Sequence, residues 1–326
     1  MKESVECLLI RKQKGWKQME KLVCKQEKFF CNLHNHSILS DGKLSEEELI
    51  KYAIEVLGNN GVLAITDHDA VSENIKELIK RYLGQIELVP GCELSTRYTL
   101  SSGRIVHLHI NLLFLNPDSQ DLKHMLMGIK GDRDAFLLKS INVLEKNTAF
   151  RMSLDELKQR FSGCEQIGRK HIATCLVEQG IYETETDALD YCIGRMREPF
   201  CYVDASEFFP DEPDMKTVLS VGKAAHALAV LCHPLFYNLK KSELHELVYS
   251  FVELSRQIGI PYAMEIEYSA YNEEEKKYLY SLKEEYPDML VSCGSDYHGW
   301  GCDSMEAFPV EIFLKLKEAH KKNYLL

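Results

Sequence analysis

Seven short apolar runs, KFFCNLHNH, GVLAITDHD, IELVPGCE, RIVHLHINLLF, ALAVLCHP, PYAMEIEYS and MLVSCGSDYH, punctuate the chain, and most are followed by a stretch of helical period. This rhythm constrains the fold more than any other feature. The runs are continuously apolar, not alternating, which is what parallel strands covered on both faces require. Between the first two, SEEELIKYAIEVLG opens with Ser45 and Glu48 at capping-box spacing and repeats apolar residues at Leu49, Tyr52, Ala53, Val56 and Leu57. ENIKELIKRYLG, KSELHELVYSFVELSRQIG, EEEKKYLYSLKEEY and EIFLKLKEAHKK read as helices in the same way. Strand and helix in alternation predict an α/β protein with a mainly parallel sheet. Periodicity does not say whether that sheet closes.

The strand rhythm stops between residues 118 and 222, where SLDELKQRF, RKHIATCLVEQG and TETDALDYCI are helical in period. The expected organisation is therefore an N-terminal extension of unassigned purpose over 1–28, a first part of the sheet domain over 29–117, a helical insertion over 118–222 and a second part over 223–326. No fixed-period repeat or low-complexity tract interrupts it.

Composition narrows the class of partner. A formal charge of −11 over 326 residues disfavours sequence-independent gripping of a long nucleic acid, which needs a surplus of Lys and Arg along the phosphate track. It leaves room for a small phosphorylated substrate held through metal ions. No stretch approaches the roughly 18–20 apolar residues of a membrane span, and the first thirty residues have no signal-peptide core. A cytoplasmic protein with no membrane association and no obligate protein partner is expected. Eleven cysteines at irregular spacing, without any C-x-x-C, read as reduced thiols; Cys31, Cys92, Cys232 and Cys293 fall inside apolar runs, where Cys behaves as a small hydrophobe.

Chemistry collects at the strand ends. His34, His36, His68, Glu93, His107 or His109, His233, Asp296 and His298 all lie at or near the C-terminal end of an apolar run, the face on which parallel barrels build their sites. In a strand, residues i and i+2 point the same way, so His34 and His36 can reach one ion while Asn35 turns aside, and Asp296 and His298 repeat the arrangement. Imidazoles and carboxylates without thiolate suit Mn²⁺, Fe²⁺ or Zn²⁺ in a catalytic setting. Nine candidate ligands, with Asp41 included, exceed the needs of one ion and imply two or three divalent ions. Such a cluster fits phosphate-ester hydrolysis well and amide hydrolysis less well.

Taken in order, HNH with SDG, TDHD, PGCELST, a strand histidine, HP and GSDYHG resemble the polymerase-and-histidinol-phosphatase (PHP) family of metal-dependent phosphoesterases, over about residues 29–117 and 223–326. The resemblance implies a distorted seven-stranded (β/α)7 barrel of PHP type carrying a helical insertion. It implies one ion on His34, His36, Glu93 and Asp296, a second on Glu93, a fourth-strand histidine and His233, and a third on Asp41, His68 and His298, with Glu93 as the bridge. These residues would also be the catalytic set, a metal-bound hydroxide attacking phosphorus. The fourth-strand ligand is expected to be His109, because the family's histidine precedes a Pro or acidic turn by about the interval that separates His109 from Pro117; His107 would then face the substrate or lie behind the ligands.

The insertion resembles a subgroup acting on nucleotides or short RNA. GRKHIATCLVEQGI is similar to that subgroup's Gly-Arg-Pro-His-Ile-Ala segment, with Lys170 in place of the proline, and GDRDAFLLKSINVLEK keeps Arg133. By that analogy Arg133, Arg169 and His171 would bind a substrate phosphate, and Tyr271 stands near where the family commonly has a histidine. The expected function is hydrolysis of a small phosphate ester, a nucleotide or oligonucleotide end. Histidinol-phosphate phosphatase, a metallo-amidohydrolase and an inactive PHP module are the alternatives.

Overall fold

The structure is a computed structural model that describes residues 29–129, 133–164, 166–194, 200–204, 208, 212–300 and 303–324. The expected N-terminal extension over 1–28 lies outside the described residues.

The seven apolar runs become seven strands: β1 (Phe30–Asn32), β2 (Gly61–Ile65), β3 (Ile86–Thr99), β4 (Ile105–Leu113), β5 (Leu228–Leu231), β6 (Tyr262–Tyr268) and β7 (Leu290–Gly294). They follow one another around the sheet in sequence order. β1 and β7 then meet: Leu33 N–H donates to Cys293 O (3.3 Å), His36 N–H donates to Tyr297 O (2.8 Å), and Asn35 bridges Tyr297. The sheet thus nearly closes into a barrel. A short β8 (Phe308–Pro309) pairs antiparallel with the outer edge of β1.

One stave runs backwards. β4 is antiparallel to both β3 and β5, whereas the other neighbouring staves are parallel. Only residues 100–104 connect β3 to β4, and a parallel crossover needs roughly a dozen residues or more. The turn is a hairpin, with Leu100 N–H donating to Arg104 O (2.9 Å) and Gly103 at φ 84°. The sequence expectation that every candidate ligand lies at a strand's C-terminal end is therefore corrected at two places. In the reversed β4 His107 lies near the N-terminal end and His109 at the middle, and Glu93 lies in the middle of a long β3.

Helices α1 (Glu46–Leu57), α2 (Ile75–Arg81), α3 (Gln120–Ile129), α8 (Met215–Ala224), α9 (Lys241–Ile258), α10 (Glu273–Glu284) and α11 (Val310–Tyr324) surround the barrel. The capping box of α1 forms as read, Ser45 Oγ accepting from Glu48 N–H while Ser45 N–H donates to Glu48 (2.9 Å). The long α9 buries Leu244, Leu247, Val248, Phe251 and Val252 at the i, i+3, i+4, i+7, i+8 spacing of one helical face. Between β4 and β5, α4 (Arg133–Asn147), α5 (Leu154–Arg160), α6 (Arg169–Glu178) and α7 (Glu185–Ala188), which runs on into a π-helical turn, pack a separate core around Phe150, Leu144, Leu157, Ile172 and Leu176. α3 and α8 do not join it. Their Leu122, Met215, Val218 and Leu219 pack on the barrel core, so the part of the insertion with its own core runs from about α4 to Val203.

Cys31, Cys92, Cys232 and Cys293 are free, buried thiols. Among the described residues no helix is long and apolar enough to cross a membrane.

Candidate metal centre

Backbone register brings the site together. The Asn35–Tyr297 bridge sets His34 and His36 on one side of β1's extension against Asp296 and His298 beyond β7. A second bridge joins His68 to Glu93, with Asp69 N–H donating to Glu93 O (2.9 Å) and Glu93 N–H to Asp67 O (3.2 Å). On the antiparallel β3–β4 ladder Ser95 faces His109 and Arg97 faces His107, so His109 is the nearer of the two to Glu93. Three strand junctions therefore deliver side chains to one point.

At that point stands Glu93, wholly buried. Its Oε2 is 3.3 Å from His34 Nε2, 3.2 Å from His36 Nε2 and 3.0 Å from His68 Nδ1; its Oε1 is 2.9 Å from His109 Nδ1 and 3.0 Å from His233 Nε2. Asp296 Oδ1 lies 3.4 Å from His34 Nε2 and 3.0 Å from His36 Nε2. Asp41 Oδ1 lies 3.0 Å from His298 Nε2 and 3.7 Å from His68 Nε2. Ligand atoms of His34, His36, Glu93 and Asp296 fall within 4.8 Å of one another, as do those of His36, Asp41, His68 and His298, and those of His68, Glu93 and His109. The nine side chains singled out in sequence thus converge. His36 and His68 each belong to two of these groups, so the centres overlap more than three separate sets of ligands suggest.

The donor set fits divalent cations on an internal observation. His34 Nε2, His36 Nε2, Asp41 Oδ1, Glu93 Oε2, His109 Nδ1, Asp296 Oδ1 and His298 Nε2 are all buried and lack a hydrogen-bond partner, although they crowd one another. Buried polar atoms left in this state cost about 1–3 kcal/mol each, and more when charged. Lone pairs from several elements that converge without protons to share are what a cation satisfies.

Electrostatics points the same way. Burial opposes charge throughout the cluster, and mutual attraction outweighs it at the carboxylates. His109, His34 and His68 hold Glu93 well below the usual carboxylate range, as His298 and Lys170 do for Asp41 and as His34 and His298 do for Asp296. Against burial, Glu93, Glu265 and Asp296 raise His34 well above the ordinary imidazole value, and Glu93 and Asp41 raise His68 to about 9. Burial prevails at His109 and His298, which move down. Without cations, protons collect where they would bind.

Three supporting residues were not identified from the sequence. Glu265, buried on β6, places Oε1 3.0 Å from His34 Nδ1 and accepts the His233 N–H at Oε2 (2.8 Å), fixing which His34 nitrogen faces the centre. The run PYAMEIEYS carries two carboxylates, Glu265 and Glu267, and nothing in it marks the first as the buried one. Asp67, in TDHD, accepts from Ser37 N–H (2.8 Å), Ser37 Oγ (2.7 Å), Ser40 N–H (3.2 Å) and Ser40 Oγ (2.5 Å). It thereby holds the turn that presents Asp41. Gly42 closes that turn, and a Cβ there would lie 2.3 Å from His36 O. Tyr268 OH donates to Asp296 Oδ2 (3.1 Å). Next to His68, the Asp69 carboxylate accepts from Ser95 N–H and Oγ, both at 2.8 Å.

A cleft of about 750 Å³ opens over the cluster, walled on one side by the barrel and on the other by the insertion. Arg133, Arg169 and Lys170 line it, with Lys170 Nζ 3.1 Å from Asp41 Oδ2. Arg133 donates to Ile167 O (3.4 Å) and lies 3.9 Å from Asp69, while Arg169 donates to Val203 O (2.7 Å) and stacks over Phe136 and Tyr202. His171 is brought to the insertion but not into the cleft. It is buried, its Nδ1 accepts from Gly168 N–H (3.1 Å), its Nε2 meets Cys164 Sγ (3.4 Å), and burial pushes its pKa down to about 4. The expectation that His171 binds substrate is corrected: it shapes the start of α6. Tyr271 is also withdrawn from substrate, its OH accepting from Leu235 N–H (3.0 Å). His107 lines the cleft and pairs with Glu212.

No family model matches the chain. It is 28% identical over 273 residues to a 5′-3′ exoribonuclease of Haemophilus influenzae, covering 82% of this chain and 91% of that protein. Among solved structures, a protein from Bifidobacterium adolescentis described as a metal-dependent phosphoesterase superposes with a TM-score of 0.70 at 21% identity, covering 89% of this chain and 96% of that one. An amidohydrolase from Chromobacterium violaceum, solved with sulfate and no metal, superposes with a TM-score of 0.72 at 22% identity over the same shares. The barrel with its insertion is a shared fold.

Proposed function

We propose that this chain, which resembles the PHP phosphoesterases and their RNA-acting subgroup in motif order and in fold, is a metal-dependent hydrolase of phosphate esters at the end of a nucleotide or short nucleic acid, in the manner of the exoribonuclease it is similar to. Glu93 carries the reading: one buried carboxylate faces five imidazoles, two on Oε1 and three on Oε2. His34, His36, Glu93 and Asp296 would hold one ion, Glu93, His109 and His233 a second, and Asp41, His68 and His298 a third, so that two or three of Mn²⁺, Fe²⁺ or Zn²⁺ are accommodated. Bound there, such ions supply Lewis acidity toward phosphoryl oxygens and lower the pKa of water from 15.7 toward about 7.

The chain's own residues do the rest. Glu265 keeps the His34 proton on Nδ1 and leaves Nε2 free for the centre. Asp67 and Gly42 hold Asp41 at the mouth of the cluster. Arg133, Arg169 and Lys170 line the insertion wall of the cleft, where guanidinium forks match phosphate oxygens in pairs and the ammonium acts as a point charge.

The test is a turnover panel with Mn²⁺ supplied: 5′-phosphorylated oligoribonucleotides, 3′,5′-bisphosphonucleotides, histidinol phosphate and simple N-acyl amides. Nucleotide substrates are expected to be hydrolysed, and the double variant His34→Ala, His36→Ala to lose that turnover. Faster turnover of histidinol phosphate or of an amide would overturn the proposal.

A further inference from the structure

Beside the metal centre, the barrel wall of the cleft carries a large aromatic ring that nothing in the chemistry of a phosphate requires. Phe236 is 54% exposed and lines the cleft with His233, Tyr237, Asn238 and Arg104. We infer that Phe236 is the stacking platform for the nucleobase adjoining the scissile phosphate, so that this site takes a nucleotide unit and not a phosphate ester of any alcohol. The inference rests on the phosphoesterase reading and deepens it.

Phe236 belongs to a short 3-10 turn, Pro234–Tyr237, that starts at His233. Its ring is nearly parallel to the His233 imidazole (27°), with centroids 6.1 Å apart. Tyr268 and Tyr271 meet it edge to face at 5.5 and 5.6 Å. One side of the ring is thus propped by two buried tyrosines, and the remainder is left to the cleft.

The exposure is built in. His233 N–H donates to Glu265 (2.8 Å), Leu235 N–H to Tyr271 OH (3.0 Å), and Tyr237 OH to Cys232 O (2.7 Å) while accepting from His109 N–H (3.0 Å). The turn is bounded by two non-glycine residues at positive φ, His233 at 26° and Asn238 at 50°. Backbones of that kind persist only where the surroundings hold them, and they cluster at ligand sites. A pinned turn that holds a half-exposed aromatic ring in the cleft, beside the cluster of carboxylates and imidazoles, is matched by a ligand with a charged group and a flat apolar face one unit apart. A nucleotide is such a ligand. Base stacking on an aromatic ring is tolerant of base identity, because every base has a π face, so the platform selects for the presence of a base and hardly at all for its kind.

The experiment compares kcat/KM for 5′-phosphorylated dinucleotides that carry a terminal base with that for the same compounds lacking it, with Mn²⁺ supplied, in the wild type, Phe236→Ala and Phe236→Trp. Metal content and melting temperature of each variant are the folding controls, and truncating a half-exposed ring leaves little cavity. The wild type should prefer the base-bearing compounds by about tenfold or more, with similar values for all four bases. That ratio should collapse toward one in Phe236→Ala through KM and return in Phe236→Trp. An unchanged ratio in Phe236→Ala, or equal loss on both kinds of substrate, would overturn the inference. Wild type that turns over neither kind, with its metal in place, would instead sink the phosphoesterase reading and this inference with it.

Discussion

The two walls of the cleft are made differently. The barrel wall is assembled from residues just beyond β1, on β3 and β4 and at the ends of several other staves, with His34, His36 and Glu93 wholly buried, the two histidines flanking one backbone bridge and Glu93 forming another. The insertion wall is a helical unit with a core of its own; it meets the centre at Asp41 through Lys170, and its surroundings through Arg133 to Asp69, Gln166 to Asp69 O and Cys164 to Ser40 O. Chemistry placed on a wall of paired strands cannot drift, whereas a wall with a separate core can change its residues without disturbing the barrel. The difference puts the candidate metal ligands and Phe236 on the one and the cationic side chains Arg133, Arg169 and Lys170 on the other.

The largest effect should come from Glu93→Gln, which strikes the barrel wall at its centre. It removes the shared charge from five imidazoles, and turnover of a nucleotide substrate should fall by about 10³-fold or more, in kcat more than in KM. A fall confined to KM would break the division between the walls.

Glu265→Gln probes the barrel wall from behind. A Gln amide would set an N–H against either the His34 Nδ1–H or the His233 N–H, and Mn²⁺ affinity should drop about 10- to 100-fold by calorimetry. Unaltered affinity would mean that Glu265 does no more than fill space.

On the insertion wall, Arg169→Met keeps an unbranched apolar side chain and removes the guanidinium that stacks over Phe136 and Tyr202. KM for a 5′-phosphorylated substrate should rise about tenfold with Mn²⁺ affinity unchanged, the size expected of a lost hydrogen bond to a charged group. Loss of metal instead would show that the walls are not independent.

The smallest effect is in stability. In metal-free protein, His68 at about 9 and His34, also raised, lie above their unfolded value of 6.5. A raised folded pKa contributes stability that is complete below pH 6.5 and lost as pH climbs through 9. The melting temperature of chelator-stripped protein should therefore fall by about a few degrees from pH 6.5 to 9, and Mn²⁺, which needs neutral imidazoles, should reverse the slope. A slope of the same sign with and without metal would contradict the assignment of these histidines to the centre.

The walls also differed in how far they could be read beforehand. Apolar runs and i, i+2 histidines mark strands and their common face, which is why the seven staves and the nine converging side chains were legible. Strand direction is not carried by such a run. The reversal of β4 was nonetheless implied by the short LSSGR link, too brief for a crossover, and it explains why His109 lies closer to Glu93 than His107 does. Glu265 was missed because an acidic residue in a strand announces nothing until its partners, His34 and the His233 amide, are brought from elsewhere in the chain. On the insertion wall a helical period says which face is buried only in relation to the packing, and so His171, a polar residue inside a familiar segment, was read as facing substrate when it faces Gly168 and Cys164.

Counting ions tests most directly whether Glu93 is a shared ligand. Chelator-stripped wild type and Glu93→Gln are each equilibrated with Mn²⁺, freed of unbound ion and measured by elemental analysis, with circular dichroism confirming the fold. Wild type should hold at least two ions per chain and the variant no more than one. Equal occupancy in the two proteins, or fewer than one ion in the wild type, would contradict that role for Glu93.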